Sequence, residues 1–186
     1  MTYNSEMHHR QSIRLDDYDY SKEGAYFFTL CTHQRREVFG EVVDSVVQLS
    51  DQGKIVYEIW QTLPQRFPGI ELDAFITMPN HVHGIVVRTD HAISQHDTNK
   101  VPFVFNYQYK NFRSTSNRRQ TLHEIMRTFK ALVSYHVHKN GNTEFAWQRG
   151  FYDHIIRNIA ERDSIRSYIV NNPAKWQEDK LYPSCT

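Results

Sequence analysis

Two histidines separated by a single valine, His81 and His83, are the first residues in the sequence that could carry chemistry. The segment 76–87 around them reads as two strands joined at Pro79 and Asn80, which are both turn-forming residues. Side chains alternate along a strand, so both imidazoles point to one sheet face, about 7 Å apart at ~3.3 Å per residue. Two imidazoles placed in this way can converge on a single metal ion. The alternative is a pair of polar side chains on a solvated sheet face, and the spacing alone favours neither.

A helix is predicted over residues 121–140, because Thr121 and Glu124 have the spacing of a capping box and Asn140 precedes a glycine. The apolar residues of this segment recur at helical spacing and form one stripe: Leu122, Ile125, Met126, Phe129, Leu132, Val133 and Val137. At 100° per residue, Tyr135 lies roughly 130° from the middle of that stripe. Tyr135 is therefore expected on an exposed flank of the helix, outside the core.

The remaining elements are predicted from hydrophobic periodicity and composition. Strands are expected at 25–32, 71–78, 81–89 and in the second half of 145–157, and further helices at 46–67 and 161–170. With the helix at 121–140, the order of elements is β-α-β-β-α-β-α. This order predicts an α+β fold in which an antiparallel sheet carries helices mainly on one face.

The composition is that of an ordinary folded chain of 186 residues, of which 39% are hydrophobic and 13% aromatic. This length fits one domain with a substantial core. No run approaches the ~20 apolar residues that a membrane-spanning helix needs, and the polar residues 1–24 read as a mobile leader without a secretion signal. The two cysteines, Cys31 and Cys185, do not make a disulfide framework, so we expect a cytoplasmic protein.

The formal net charge is only +1, yet basic residues concentrate between residues 110 and 150. That segment contains eight lysines and arginines and two glutamates, a balance of +6 with histidine counted as neutral. Such a concentration suits an anionic partner, and nucleic acid is the commonest one. The alternative is a solvated surface whose charge is offset by acidic residues elsewhere in the fold.

Three motifs, in one order along the chain, resemble a known pattern. They are MPNHVHGIV at 78–86, FAWQRGFYDHIIRN at 145–158 and SYIVNNPAKW at 167–176. Together they are similar to the HUH-type single-tyrosine transposases, a superfamily that includes insertion-sequence and REP-associated tyrosine transposases. The resemblance implies a ferredoxin-like sandwich and a single catalytic domain over 25–176, with a long inserted loop at 90–120 and a tail at 177–186.

By this resemblance, the protein is a DNA transposase that cleaves and rejoins single-stranded DNA next to hairpins. His81 and His83 would bind Mg²⁺ or Mn²⁺, which polarises the phosphate and assists the leaving 3′ oxygen. Tyr135 would be the nucleophile and form a 5′-phosphotyrosine, which keeps the bond energy for rejoining without ATP. Relatives often supply a further metal ligand one turn after the tyrosine. This chain has Lys139 there, so His138 is the hypothetical substitute, and the alternatives are a ligand from elsewhere in the chain or a water molecule.

Several cations are predicted to contact DNA: Arg35, Arg36, Arg127, Lys130, Lys139 and Arg149. A solvated face is the alternative for these side chains. A hairpin-binding module for DNA or RNA that has lost catalysis is the alternative function, and the lysine at position 139 supports it. His154 fits the family pattern, although a structural hydrogen bond is an equal interpretation. Many relatives are homodimers with shared active sites, whereas the REP-associated ones look monomeric, and no feature of the sequence decides between the two.

Overall fold

The computed structural model describes residues 22–89 and 120–183. The predicted leader and inserted loop lie almost entirely outside these residues. In chain order, the elements are β1 (Gly24–Cys31), β2 (Gly40–Val43), β3 (Val46–Leu49), α1 (Asp51–Gln61), α2 (Leu63–Arg66), β4 (Ile70–Met78), β5 (His81–Arg88), α3 (Leu122–Lys139), β6 (Tyr152–Ile156) and α4 (Ile159–Asn171). Short 3₁₀ helices, His33–Arg35 and Pro173–Glu178, follow β1 and α4. None of the helices in these two ranges is long and apolar enough to cross a membrane.

The main sheet has four strands in the order β4-β5-β1-β6, and every neighbouring pair is antiparallel. β1 and β4 both flank β5, so they run parallel to each other and are joined by a crossover that contains α1. With the small β2–β3 hairpin set aside, this is the ferredoxin-like arrangement of two split βαβ units. The predicted α+β fold is therefore confirmed.

Alternation along the central strands separates the two faces of this sheet. Tyr26 and Phe28 of β1 face a large core that α1 and α3 complete. Phe27 of β1 and Ile85 of β5 face the opposite side, where α4 contributes Ile169 to a smaller core. The helices thus lie mainly on one face, and α4 is the one described α-helix that covers the other.

Helix α3 forms as the sequence predicts. The Thr121 hydroxyl accepts a hydrogen bond from the Glu124 backbone N–H at 3.3 Å, and the Glu124 carboxylate accepts one from the Thr121 N–H at 2.8 Å. The helix ends at Lys139, shortly before Gly141, whose φ of 98° is accessible to glycine. Its apolar stripe packs into the large core.

The helix predicted to begin at residue 46 begins instead after Ser50, and this part of the prediction is wrong. The valine-rich residues before Ser50 form β3, which pairs with β2 in a hairpin. Asp44 and Ser45 have φ values of 50° and 63°, which produce a two-residue turn with the twist that a hairpin requires. The Ser50 hydroxyl then caps α1 by accepting a hydrogen bond from the Gly53 N–H at 3.1 Å.

Gly84 allows two aromatic rings, buried Phe28 and partly buried Phe75, to rest on the sheet directly beside His83. A Cβ atom at this position would lie 2.7 Å from the Phe28 ring and 2.9 Å from the Phe75 ring. Phe75 is in turn stacked on Trp60, with ring centroids 4.5 Å apart. Because the rings are packed on their far side, they have little room to retreat.

Replacing Gly84 with alanine is therefore expected to lower the free energy of unfolding by about 1–3 kcal/mol through overpacking. Urea denaturation would measure this loss. In a Phe28→Leu background the shorter side chain relieves the clash, so the same substitution should cost less there. An equal cost in both backgrounds would show that the Phe28 ring is not the obstacle.

Candidate active site

His81 and His83 lie on β5 and point to the α4 face of the sheet, as their spacing predicts. Both side chains are buried, with exposed fractions of 0% and 2%. Their Nε2 atoms are 3.0 Å apart. The two rings therefore converge on one point, which is the geometry that a shared metal ion requires.

The other ring nitrogen of each histidine is held by a neighbouring side chain. Nδ1 of His81 lies 2.8 Å from Oδ1 of Asn80, and Nδ1 of His83 lies 2.8 Å from the hydroxyl of Thr29. Thr29 is on β1 and directly opposite His83 in the strand register. Metal-binding histidines usually have such partners, because a hydrogen bond at one ring nitrogen orients the lone pair of the other.

Burial keeps both imidazoles neutral. Desolvation, followed by the charges of His83 and Arg35, lowers the pKa of His81 to about 2. Desolvation also lowers the pKa of His83 to about 4, although the carboxylate of Asp179 acts in the opposite direction. The neutral ring is the form that binds a metal ion, so both side chains are ready to act as ligands at neutral pH.

Asp179 supplies a third donor to this cluster. It lies in residues 173–183, which we call the C-terminal strap. This segment includes the end of the predicted catalytic domain (25–176) and the first part of the predicted tail (177–186). One nitrogen from each histidine and one carboxylate oxygen of Asp179 all lie within 4.8 Å of one another. Trp176 of the strap packs against His81, with ring centroids 5.8 Å apart. Two neutral nitrogens and one carboxylate oxygen fit a divalent ion such as Mn²⁺ or Mg²⁺.

Two other histidines considered from the sequence make hydrogen bonds elsewhere. His138, the predicted third ligand, is on α3 and donates from Nε2 to the Phe145 carbonyl at 2.7 Å. Because α3 packs on the opposite face of the sheet, His138 does not meet the histidine pair, and Asp179 takes the position expected of it. His154 pairs with Glu161 at 2.7 Å, which is the structural hydrogen bond weighed above.

Tyr168 on α4 lies beside the cluster, and it was not among the site residues predicted from the sequence. Its hydroxyl is 3.2 Å from Nε2 of His83, and its ring centroid is 5.2 Å from that of His83. Burial, and then the charge of Asp179, raise the pKa of Tyr168, while a hydrogen bond from Asn172 lowers it. Asn172 is one turn after Tyr168, and its Oδ1 is buried without a hydrogen-bond partner among the described residues. A polar residue one turn after the tyrosine is the signal that could have identified Tyr168.

The structure does not bring Tyr135, the tyrosine chosen from the sequence, to the histidine pair. Tyr135 is 60% exposed on α3, so its predicted position outside the core is confirmed. The stripe of α3, however, packs on the face formed by Tyr26 and Phe28. The sheet itself therefore separates Tyr135 from His81 and His83 within one chain.

A cleft of about 1000 Å³ opens beside His83 on the α4 face. Of the six cations predicted to contact DNA, Arg35 and Arg149 line this cleft. Lys175 and Lys180 of the strap add two further cations to its wall. The carboxylates of Glu178 and Asp179 also line the cleft, so the four cations leave it with a net positive charge next to the candidate metal ligands.

The other four cations do not line the cleft. Arg36 forms an exposed ion pair of 3.8 Å. Lys130 donates from Nζ to two backbone carbonyls of the segment 148–150, at 2.7 and 3.1 Å, and so positions a loop that borders the cleft. Arg127 and Lys139 are exposed on α3. Their predicted contacts with DNA remain predictions.

The lowered pKa values of the two histidines make stability depend on pH. In metal-free protein the unfolded chain binds protons below pH 6.5, whereas folded His83 and His81 resist protonation until about pH 4 and about 2. The contribution of the two histidines to the free energy of unfolding is therefore full above pH 6.5. It decreases as the pH falls, by up to about 1.4 kcal/mol per pH unit for each histidine. Urea denaturation in EDTA between pH 5 and 7.5 should show a shallower slope in His81→Gln. The exposed His33→Gln variant is the control, and equal slopes in all three proteins would contradict the prediction.

Comparison with known proteins identifies relatives of this chain. No protein-family model matches it. A protein of Haemophilus influenzae, described only as uncharacterized, is 38% identical over 180 residues, which cover 97% of each chain. Among solved structures, a REP-associated tyrosine transposase bound to a REP hairpin superposes with a TM-score of 0.57 at 19% identity, covering 91% of this chain and 77% of that one. A Deinococcus radiodurans protein superposes less well, with a TM-score of 0.46 at 15% identity over 86% of this chain and 97% of that one.

The match to the tyrosine transposase extends over nearly the whole chain and concerns the arrangement of its helices and strands. It confirms the fold that the three sequence motifs imply. The chain belongs to one family with the Haemophilus influenzae protein, and it has the fold of the REP-associated tyrosine transposase.

Proposed function

We propose that the protein is a metal-dependent DNA transposase that cleaves and rejoins single-stranded DNA beside hairpins, with Tyr168 as its nucleophile. The observation that carries the proposal is the Tyr168 hydroxyl, 3.2 Å from Nε2 of His83 in a cluster of two histidines and one carboxylate. The hairpin bound by the transposase of similar fold supports hairpin DNA as the substrate. In a bacterial cell, such as that of the Haemophilus influenzae relative, a reaction on chromosomal DNA would take place in the cytoplasm.

The donor set fits a divalent metal, Mg²⁺ or Mn²⁺, held by His81, His83 and Asp179. Such an ion would supply positive charge that polarises the scissile phosphate and stabilises the leaving 3′ oxygen. The protein's own contribution is to keep both imidazoles neutral and oriented before the ion arrives. The hydrogen bonds of Thr29 and Asn80 at the Nδ1 atoms provide that orientation.

Tyr168 has to lose its phenolic proton to attack, and its surroundings act in both directions. Burial and the Asp179 charge raise its pKa and would keep the hydroxyl protonated until a metal ion at the site supplied positive charge, whereas the Asn172 hydrogen bond would favour the phenolate. Attack would form a bond between the phenolic oxygen and phosphorus and break the bond to the 3′ oxygen, which takes up a proton. The product would be a 5′-phosphotyrosine and a free 3′-OH. Because the phosphotyrosine linkage retains the energy of the phosphodiester bond, attack by a 3′-OH would reverse the step.

The cleft is lined by the types of residue that typically bind single-stranded DNA. Arg35 and Arg149 can bind successive phosphates, and the exposed side chain of Tyr152 also lines the wall. Positive charge that follows the backbone, combined with aromatic surfaces on which bases stack, is typical of single-strand binding. Contacts of Arg127 and Lys139 with DNA would fall outside the cleft.

Covalent trapping tests the nucleophile and the reaction class together. We expect Mn²⁺ or Mg²⁺ and labelled single-stranded DNA with the hairpins that flank the gene to give a labelled protein band on a denaturing gel. Tyr168→Phe should reduce the rate of band formation by about 10³-fold or more, because it removes the attacking oxygen. Tyr135→Phe is the matched control and should form the band at the wild-type rate.

The outcomes of this assay separate the candidates. Loss of the band in Tyr135→Phe, with Tyr168→Phe active, would show that Tyr135, the tyrosine predicted from the sequence, is the nucleophile. Tight hairpin binding by wild-type protein without any band, with or without metal, would favour a binding module that has lost catalysis.

The candidate site is assembled from residues of one chain, which bears on the oligomeric state of the active enzyme. His81, His83, Asp179 and Tyr168 come together without a partner. We therefore expect that mixing His81→Ala with Tyr168→Phe protein restores no cleavage, measured with the same labelled DNA. Recovery of about a quarter to a half of wild-type activity would instead indicate a homodimer with shared active sites, since mixed dimers then contain one intact site.

A further inference from the structure

The side chain of Asn80, in the turn between β4 and β5, forms hydrogen bonds through both its nitrogen and its oxygen next to the candidate metal ligands. It is fully buried, with an exposed fraction of 0%. Its Nδ2 donates to the carbonyl of Arg35 at 3.2 Å and to the carbonyl of Leu181 at 2.8 Å. Its Oδ1 lies 2.8 Å from Nδ1 of His81. All the polar atoms of this amide therefore have partners, as a buried polar group requires.

These contacts determine the orientation of the amide. Backbone carbonyls only accept hydrogen bonds, so the nitrogen of Asn80 has to face Arg35 and Leu181. The amide oxygen then faces His81, and because it can only accept, Nδ1 of His81 has to carry the proton. A neutral ring protonated at Nδ1 has its lone pair on Nε2, which points toward His83 and the metal position.

The partner of His83 imposes no such choice. The Thr29 hydroxyl can either donate to Nδ1 or accept from it, because its hydrogen rotates. Without a metal, Nε2 of His83 can therefore carry a proton and donate to Nε2 of His81, 3.0 Å away. With a metal, the proton has to be on Nδ1 and the hydroxyl turns to accept it. One histidine is fixed in a single tautomer, and the other can change.

The same amide also holds the C-terminal strap. Leu181, which accepts from Asn80, donates its backbone N–H to Oδ1 of Asp179 at 2.6 Å. Arg35 reinforces this connection by donating from its guanidinium to the carbonyl of Lys180 at 2.9 Å. Asn80 is thus connected to His81 on one side and to the segment that carries Asp179 on the other.

We propose that Asn80 is a positioning residue that prepares the metal site before metal binds, by fixing His81 as the Nδ1–H tautomer and by holding the strap that carries Asp179. This inference rests on the metal-binding part of the proposed function and not on the reaction with DNA. A substitution that removes the amide should release both ligands together. Mn²⁺ affinity should then fall by about 10- to 100-fold, as for other groups that orient metal ligands.

Two measurements on the intact protein test this proposal. Long-range ¹⁵N–¹H NMR of metal-free protein, with the His81 signals assigned by their loss in His81→Gln, should show His81 protonated at Nδ1. Saturation with Mg²⁺, a diamagnetic probe, should leave His81 unchanged and move His83 to the same tautomer. Limited trypsin digestion reports on the strap through cleavage after Lys180, which should be slow in wild-type protein.

Two substitutions of Asn80 separate its two roles. Asn80→Asp keeps an oxygen that accepts from Nδ1 of His81 but removes both N–H donors, so the tautomer should remain while cleavage after Lys180 accelerates about 10-fold. Asn80→Ala should lose the single tautomer and accelerate cleavage as well. Asn142→Asp, in the loop after α3, is the matched control and should change neither measurement.

Wild-type His81 protonated at Nε2 would overturn the proposal without any variant, even if the Asn80 variants fail to fold. Unchanged tautomer and unchanged digestion in Asn80→Ala would overturn it as well. Neither readout involves DNA, so absence of a covalent DNA adduct would refute the proposed transposase function and leave this result standing.

Discussion

The antiparallel pairing of β1 with β5 is the constraint on which both the core and the candidate site depend. In this register Thr29 is opposite His83 and Cys31 is opposite His81. Because side chains alternate along a strand, a slip of β5 by one residue would turn both histidines toward the α1 and α3 core. There they would displace apolar side chains and lose the partners of their Nδ1 atoms, which is costly for buried polar groups. The packing of the alternating apolar residues of β5, Val82 and Val86, into the large core thus enforces the orientation of the imidazoles.

The fold and the histidine pair could be predicted because they follow from local patterns. Two-residue alternation places His81 and His83 on one face whatever else the chain does. The face of the sheet on which a helix packs, however, cannot be predicted from the residues of that helix alone. The helical angle of Tyr135 correctly indicates exposure, but it cannot tell on which side of the sheet α3 packs. Tyr168, on a helix that buries little beyond Ile169, is on the correct side, but the helical pattern at 161–170 does not distinguish it as a site residue.

Asp179 illustrates a second limit of sequence reasoning. It lies in a polar segment without periodicity, where no pattern predicts a role. Its place beside the histidines comes from contacts with distant parts of the chain, including Trp176 on His81 and the bond from Arg35 to the carbonyl of Lys180. The β2–β3 hairpin was missed for a different reason, since its turn depends on left-handed backbone at Asp44 and Ser45, which are not glycines.

The hydrogen bond between Asn80 and Leu181 joins residues 101 positions apart and so has a consequence for the order of folding. The β4–β5 hairpin closes a short loop and can form early, whereas the strap can dock only after the sheet and α4 are in place. A chain in which the strap has not docked would therefore contain both histidines and lack the carboxylate. Under the proposed function, the capacity to break a DNA strand would arise as the last step of folding, and a nascent or damaged chain would be unable to cut.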